Sequence, residues 1–250
     1  MSRPNVSFEF FPPKSLDQSF RLWNCATPLA PMTPTFVSVT YGAGGTTRQL
    51  THEAVGAIHK NIGLTVAAHL TCVEATRAET LEIANAYAEV GVTEIVALRG
   101  DAPKGAEKFR PTADGFQSSI ELIEALADTG KFKIRVGAYP EKHPESGDAA
   151  ADIEWLKRKI DAGATSAITQ FFFEAETFFR FRDACEKAGI DAPIIPGILP
   201  IENWNGARKF AQMCGTSIPQ IVADAFDNAA KSGSTDLLAT ALATELCDDL

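Results

Sequence analysis

The chain has 250 residues, of which 45% are hydrophobic and 22% are charged, as is ordinary for a soluble globular protein. Its formal net charge is −9 and it contains no basic run, which argues against nucleic acid or an anionic membrane surface as the main partner. The sequence has no apolar run near the ~18 residues that a transmembrane helix needs. It does not begin with a basic stretch followed by a hydrophobic core, so we expect no signal peptide.

The cysteines indicate a reducing compartment. They are odd in number, widely spread and contain no C-x-x-C pair: Cys25, Cys72, Cys185, Cys214 and Cys247. Disulfide frameworks and zinc sites use regular, closely spaced cysteines. We therefore expect reduced, mostly buried thiols in a cytoplasmic protein.

The first predicted strand, NVSFEFFP over residues 5–12, places a carboxylate among aromatic side chains. Phe8 and Phe10 alternate with Ser7 and Glu9, which is typical of a strand. An ionised glutamate in apolar surroundings is costly unless it is paired, neutralised or used. The pattern alone leaves open whether Glu9 is a structural carboxylate paired with an arginine or an acid–base group.

Six further apolar runs have the length of buried strands. They are TFVSVTY (35–41), TVAAHLTC (65–72), EIVALRG (94–100), IRVGAYP (134–140), SAITQFFF (166–173) and IIPGILP (194–200). Helical periodicity lies between them, and a glycine precedes most of the next strands: Gly63, Gly91, Gly130, Gly163 and Gly189. Glycine closes a helix in the left-handed conformation without a Cβ penalty. The chain therefore reads as seven βα units of a parallel sheet.

Two α/β architectures fit such units, a (β/α)8 barrel and a doubly wound open sheet. No G-x-G-x-x-G follows the first strand, and YGAGGTT after the second misses that spacing. Polar residues instead occupy the C-terminal ends of many strands: Glu9, Thr40, Tyr41, His69, Thr71, Arg99, Asp101, Tyr139, Glu141 and Gln170. In a barrel every strand end faces one mouth, whereas an open sheet binds ligands at one switch point. We therefore predict an α/β protein, a (β/α)8 TIM barrel, as a single domain over residues 1–250.

Seven strands cannot close a regular eight-stranded parallel barrel, because the two outer strands would keep unpaired edges. We therefore expect the natural protein to continue past Leu250, where the eighth strand would lie.

The chemistry of the strand ends is less defined by pattern. His52 and His59 are seven residues apart and no H-x-H or H-x-x-x-H pair occurs, so no metal site is expected. No G-x-S-x-G nucleophile elbow is present. Taken singly, His69 is typical of a hydrogen-bonded core histidine, and Arg99 and Asp101 could simply bridge loops. Together the strand ends indicate an enzyme with a carboxylate acid–base group.

Eight motifs carry a family resemblance: FEFFPPK, FVSVTYGAGGTTR, HLTC, ALRGD, AYPEKHPE, LKRKIDAGA, ITQFFF and IIPGILP. In this order they resemble methylenetetrahydrofolate reductases of the bacterial, catalytic-domain-only type over essentially the whole chain. The resemblance implies a cytoplasmic flavoprotein of one-carbon metabolism and methionine biosynthesis, built as a TIM barrel and expected as a homo-oligomer. Hydride would pass from NADH or NADPH to FAD and then to 5,10-methylenetetrahydrofolate, in a ping-pong sequence or its reverse.

The resemblance also implies roles for individual residues. Glu9 matches the acid that helps protonate the folate, and apolar neighbours would raise its pKa. Asp101 matches the aspartate beside the flavin ring and the pterin. Gln170 matches a contact to folate or nicotinamide in turn, while Thr40 and Phe210 match positions near the nicotinamide, the latter by stacking.

For FAD, the resemblance points to Tyr41, Ala43, His69, Arg99, Gly100, Asp101, Thr112, Tyr139, His143, Asp152, Arg158 and Lys159. Arg158 and Lys159 are natural partners for the phosphates. Two positions depart from the family, since Trp155 and Gly206 replace polar residues, and the eighth-strand motif with its folate-contacting arginine does not occur. A barrel that binds flavin or folate without turnover is the alternative, and the presence of Glu9, Asp101 and Gln170 argues against it.

Overall fold

The computed structural model describes residues 4–41, 48–101 and 109–250. Its strands are β1 Ser7–Phe10, β2 Phe36–Val39, β3 Val66–Thr71, β4 Glu94–Leu98, β5 Lys133–Ala138, β6 Ser166–Phe171 and β7 Ile194–Gly197. The helices are α1 Leu16–Leu29, α2 Arg48–Ala57, α3 Arg77–Glu89, α4 Ser119–Asp128, α5 Ala149–Asp161, α6 Ala175–Lys187, α7 Trp204–Cys214, α8 Gln220–Ser232 and α9 Thr235–Asp249. Every strand lies inside its predicted run or within one residue of it.

The strands are ordered in the sheet as they are in the chain, from β1 to β7. The pairs β1–β2, β2–β3, β3–β4, β4–β5 and β6–β7 are parallel. Glu9 of β1 is the register partner of Ser38 in β2, and Ser38 that of Ala67 in β3. Side chains two residues apart on a strand share a face. Glu9, Ser38 and His69 therefore point to the same face of the sheet.

Two compact units make up the chain. The first comprises Met1–Val136 with Ala162–Thr165, and it holds β1 to β4 and most of β5. The second comprises Gly137–Asp161 with Ser166–Leu250, and it holds β6, β7 and the helices from α5 onward. Each unit has apolar side chains of its own to bury.

The core of the first unit lies around β2 and β3, where every residue is buried. Helix α4 adds Leu122, Ile123 and Leu126, all fully buried. Burial on both faces is what the continuous apolar runs predict for parallel strands. Strand β1 differs, because only Phe10 is buried and Glu9 is exposed.

One charged group lies deep in this core. Arg135 is 3% exposed, and its Nε and Nη2 contact Oε2 of Glu94 at 3.0 and 2.6 Å. Its guanidinium also lies 3.7 Å from the centre of the Phe36 ring. Phe36 is two residues before Ser38 on β2, so its ring lies on the same face of the sheet as Glu9, Ser38 and His69. The buried arginine therefore pairs with Glu94 and not with Glu9.

Aromatic stacking organises the second unit. Trp204 of α7 stacks on Phe226 of α8 with ring centres 4.2 Å apart, inside a buried cluster that includes Phe171 and Phe173.

Across the described parts of the chain, no helix is both long and apolar enough to cross a membrane.

The predicted helix-ending glycines take the left-handed conformation. The φ values lie between 64° and 118° at Gly63, Gly91, Gly130, Gly163 and Gly189. At Gly163 a Cβ would also lie 2.8 Å from the Cβ of Ala127. Glycine is therefore required there by both backbone conformation and close approach.

All five cysteines are free, as predicted, but they are not mostly buried. Cys72 and Cys185 are buried, Cys214 is half-buried, and Cys25 and Cys247 are exposed. Burial raises the pKa of the Cys72 thiol to about 12 and that of Cys185 to about 11. The two buried thiols are thus protonated and unreactive at neutral pH.

Candidate functional site

A carboxylate, a hydroxyl and an imidazole meet on one face of the first unit. The Ser38 hydroxyl donates to Oε2 of Glu9 at 3.2 Å, and His69 Nε2 lies 3.2 Å from the same oxygen, at ion-pair distance. His69 is 7% exposed, whereas 51% of the Glu9 side chain is exposed. A buried imidazole therefore holds the carboxylate of a side chain that is about half exposed.

These partners decide the protonation of Glu9. Burial raises the pKa of Glu9, but the contact with His69, the charge of its ring and the hydrogen bond from Ser38 lower it below the ordinary value of 4.5. The raised pKa expected from the flanking phenylalanines is wrong. Phe8 and Phe10 alternate with Glu9 along β1 and point to the opposite face, so they do not surround its carboxylate.

Thr40 and Tyr41 follow β2 directly, at the C-terminal end of that strand. The main-chain N–H of Thr40 donates to the Phe10 carbonyl at 2.9 Å, and its own carbonyl accepts from Thr51 Oγ1 at 3.1 Å. Both are half-buried, so side chains at this position reach solvent. Ala43 lies outside the described residues.

The chain turns directly after β4 at three predicted site residues, Arg99, Gly100 and Asp101. Gly100 has φ +87°, and a Cβ there would lie 2.4 Å from Cγ2 of Val73, so the turn requires glycine. The Arg99 guanidinium lies 5.2 Å from the centre of the Phe109 ring. Asp101 is exposed, which leaves its carboxylate accessible to a ligand.

Thr71 was named among the polar strand ends but was assigned no role of its own. It ends β3 two residues after His69 and so shares its face. It is 8% exposed, and its Oγ1 has no hydrogen-bond partner among the described residues. The two-residue spacing from His69 was the available signal.

Thr112, assigned by resemblance, lies in a turn where its carbonyl accepts from Gly115 N–H at 2.9 Å.

In the second unit, three predicted residues come together after β5. The Tyr139 and His143 rings meet edge to face with centres 4.5 Å apart. The main-chain N–H of His143 donates to Oδ2 of Asp152 at 2.7 Å. Its Nδ1 accepts from the Glu145 N–H at 3.0 Å, so a neutral ring carries its proton on Nε2. The loop is thereby tied to α5.

The same helix supplies two adjacent cations. Lys159 Nζ donates to the Gly137 carbonyl at 2.9 Å. Arg158 is exposed, and its guanidinium lies 4.6 Å from the centre of the Trp155 ring. Trp155, the departure noted in the sequence, is therefore a cation–π partner of Arg158.

Gln170 and Phe210 are linked through Phe171. Gln170 Oε1 accepts from the Phe171 N–H at 3.1 Å, and the Phe171 ring stacks on Phe210 with centres 5.3 Å apart. Gly206, the second departure, is the third residue of α7, where its N–H donates to the capping side chain of Asn203. It therefore serves the start of the helix.

The two groups of residues suit different tasks. The carboxylate, imidazole and hydroxyls of the first unit can hold and move a proton. The aromatic rings and cations of the second unit can bind a planar, anionic ligand. No three His, Cys, Asp or Glu side chains within the described ranges are placed to hold a metal ion.

Comparisons with known proteins point to one family. The family model described as methylenetetrahydrofolate reductase matches residues 1–250. The 5,10-methylenetetrahydrofolate reductase of Escherichia coli (strain K12) is 49% identical over 223 residues, covering 89% of this chain and 73% of the relative. That of Salmonella typhimurium is 48% identical over 231 residues, covering 91% and 76%.

A solved structure bears on the fold. An uncharacterized protein from Clostridium thermocellum, described as binding two copies of 5-methyl-5,6,7,8-tetrahydrofolic acid, has a TM-score of 0.57 and 16% identity. The match covers 98% of this chain and 82% of that one. The likeness confirms the predicted fold class, a (β/α)8 barrel of which seven strands lie in the described residues.

The family evidence reaches beyond fold, because the family model spans the whole chain and the relatives share nearly half of its residues. The predicted resemblance is confirmed, and the chain belongs to the methylenetetrahydrofolate reductase family.

Proposed function

We propose that the chain is an FAD-dependent reductase that uses NADH or NADPH to convert 5,10-methylenetetrahydrofolate to 5-methyltetrahydrofolate in a ping-pong sequence, or runs the reverse oxidation. The observation that carries this proposal is the carboxylate of half-exposed Glu9, held by buried His69 and Ser38. We further propose that residues 1–250 act as one catalytic domain of a cytoplasmic homo-oligomer. FAD, when bound, supplies the hydride chemistry.

The described residues fit a flavin dinucleotide. In the first unit, Gly100 lets the main chain turn without a Cβ, and Thr71 offers a buried hydroxyl that lacks a partner in the described chain. In the second unit, exposed Arg158 and neighbouring Lys159 supply positive charge for phosphates. The proposed FAD contacts are those named by resemblance: Tyr41, Ala43, His69, Arg99, Gly100, Asp101, Thr112, Tyr139, His143, Asp152, Arg158 and Lys159.

Five side chains of the protein take the remaining roles in proton transfer, charge stabilisation and substrate binding. Glu9 acts as the general acid that delivers a proton to the folate. The exposed Asp101 carboxylate stabilises positive charge that develops on the folate. Gln170 contacts folate and nicotinamide in turn, and Thr40 and Phe210 bind the nicotinamide. Phe171 already covers one face of the Phe210 ring, so a nicotinamide would stack on the other.

The test begins with the spectrum of the purified protein after addition of FAD. Anaerobic NADH or NADPH should bleach a bound flavin, and methylenetetrahydrofolate should restore the colour. A protein that binds FAD without being bleached would instead be a binding barrel without turnover. A protein that binds no FAD would contradict the proposal.

The Glu9→Gln variant tests the acid. It keeps the size and hydrogen bonding of the side chain but removes the proton, so folate reduction should fall by roughly 10²-fold or more. Flavin reduction by the nicotinamide needs no such proton and should change little. Glu89→Gln, the same change at the exposed end of α3, is the matched control. Stopped-flow measurement of both half-reactions decides, because equal losses would mean that Glu9 is structural.

A further inference from the structure

A general acid must carry a proton, yet the partners of Glu9 favour its ionised form. His69 and Ser38 both approach Oε2, and a positive or donating neighbour stabilises a carboxylate over the neutral acid. The residue that holds Glu9 in place therefore also controls when Glu9 is protonated. This coupling is a property of the tertiary contact and not of the local sequence.

We propose that His69 is the positioning residue of Glu9: it fixes the carboxylate through Oε2 and sets the pH range in which Glu9 carries the proton for folate reduction. The proposal rests on the proposed function, since it assigns a further role at the same site.

The geometry favours His69 over a mobile surface partner. All six residues of β3 are buried, and the strand is paired on both sides, with β2 and β4. Ser38, the second partner, is 2% exposed. Both partners are buried on strands that are paired within the sheet, so the fold fixes where Oε2 of Glu9 can meet them. Both contacts are made to Oε2, and Oε1 is the oxygen that this arrangement leaves for a substrate.

The charge environment isolates the pair. From β2, Phe36 and Ser38 face this side and carry no charge. From β3, His69 is the titratable group in its sequence VAAHLT. From β4 and β5, Glu94 and Arg135 share the face but bind each other, with contacts of 3.0 and 2.6 Å to Oε2 of Glu94. Within the described chain, His69 is therefore the ionisable side chain that acts directly on Glu9, in agreement with the causes of its lowered pKa.

The direct test is a titration of the Glu9 carboxyl by ¹³C NMR in the purified full chain, with the resonance assigned by its loss in Glu9→Gln. In His69→Leu the midpoint should move to higher pH, because burial still raises the pKa and the opposing partner is gone. In His69→Gln the shift should be smaller, since an amide can donate a hydrogen bond but carries no positive charge. His59→Leu, the same change at a histidine that contacts the Leu64 carbonyl, should leave the midpoint unchanged.

The second readout is the pH dependence of the folate half-reaction. In His69→Leu the pH at which this rate declines should move upward with the Glu9 midpoint. A merely structural histidine would lower the rate at every pH and leave the midpoint in place. An unchanged Glu9 titration in both His69 variants, folded by circular dichroism, overturns the proposal.

Failure of the proposed reductase function and failure of the proposed role of His69 give different results. If the chain is not a folate reductase, the NMR midpoint still shifts in His69→Leu while no folate turnover is found. If the chain is a reductase and His69 does not position Glu9, turnover is present and the midpoint does not move. Should His69→Leu not fold, the charge-removing His69→Gln variant still decides, because its midpoint must rise above that of the native chain.

Discussion

Removing the guanidinium of Arg135 should destabilise the first unit strongly. Arg135→Met leaves an apolar side chain of similar length in the same space but removes both contacts to Oε2 of Glu94. The Glu94 side chain is only 13% exposed, so its charge would lose its main partner in a largely dry position. Loss of one member of a buried ion pair typically costs about 3–5 kcal/mol.

Two further contacts refine this magnitude. Lys133 Nζ lies 3.7 Å from Oε1 of Glu94 and stays in place, but it is half exposed and compensates only in part. The guanidinium also loses its position 3.7 Å from the Phe36 ring centre, a contact typically worth about 0.5–2 kcal/mol. These two corrections oppose each other, so the expected loss stays at about 3–5 kcal/mol.

Equilibrium urea unfolding, followed by far-UV circular dichroism, measures this loss. The double variant Arg135→Met/Glu94→Leu is the matched control, because it replaces both charges by apolar groups and should be more stable than Arg135→Met alone. A loss below about 1 kcal/mol in Arg135→Met, the level of an exposed ion pair, would refute the reasoning. It would mean that Glu94 reaches water or takes up a proton at little cost.

Three further results are expected. Gly100→Ala should lower stability by ~2 kcal/mol or more in thermal unfolding, because a Cβ at φ +87° would meet Val73 at 2.4 Å; an unchanged melting temperature would contradict this. Gly56→Ala should raise stability by about 0.5–1 kcal/mol, since Gly56 lies inside α2 with nothing within 4 Å of its Cβ position. Because the folded-state pKa of Glu9 is lowered by His69, its carboxylate stabilises the fold above the ordinary value of 4.5 and loses that effect as pH falls below it. The stability difference between the native chain and Glu9→Gln should therefore be larger at pH 7 than near pH 3, and a constant difference would count against the contact.

The strands could be predicted because their signal is local. Apolar runs of strand length, most of them preceded by a glycine that ends a helix, identify βα units without knowledge of tertiary contacts. Their bounds were less well determined, since β1 spans Ser7–Phe10 rather than residues 5–12. Strand ends depend on where pairing with a neighbour stops, which a single sequence does not contain.

The electrostatics of the site could not be predicted in the same way. The flanking phenylalanines suggested an apolar environment for Glu9, but alternation along β1 turns them away. The side chains that act on Glu9 come from other strands, with Ser38 29 residues away in sequence and His69 farther still. Their proximity depends on the pairing register, so the direction of the pKa shift required the structure. Arg135 illustrates the same limit, because nothing near it in sequence identifies Glu94 as its partner.

The distribution of the cysteines makes the chain suitable for distance measurement between its two units. The thiolate is the form that reacts with maleimide and methanethiosulfonate probes, and a thiol with a pKa of about 12 is ionised in only ~1 molecule in 10⁴ at pH 8. Cys25, in the first unit, and Cys247, in the second, are exposed. Once half-buried Cys214 is replaced by serine, native cysteines provide one labelling position on each unit. Pulsed electron–electron double resonance between two spin labels would then report whether the arrangement of the units changes when FAD or a folate binds.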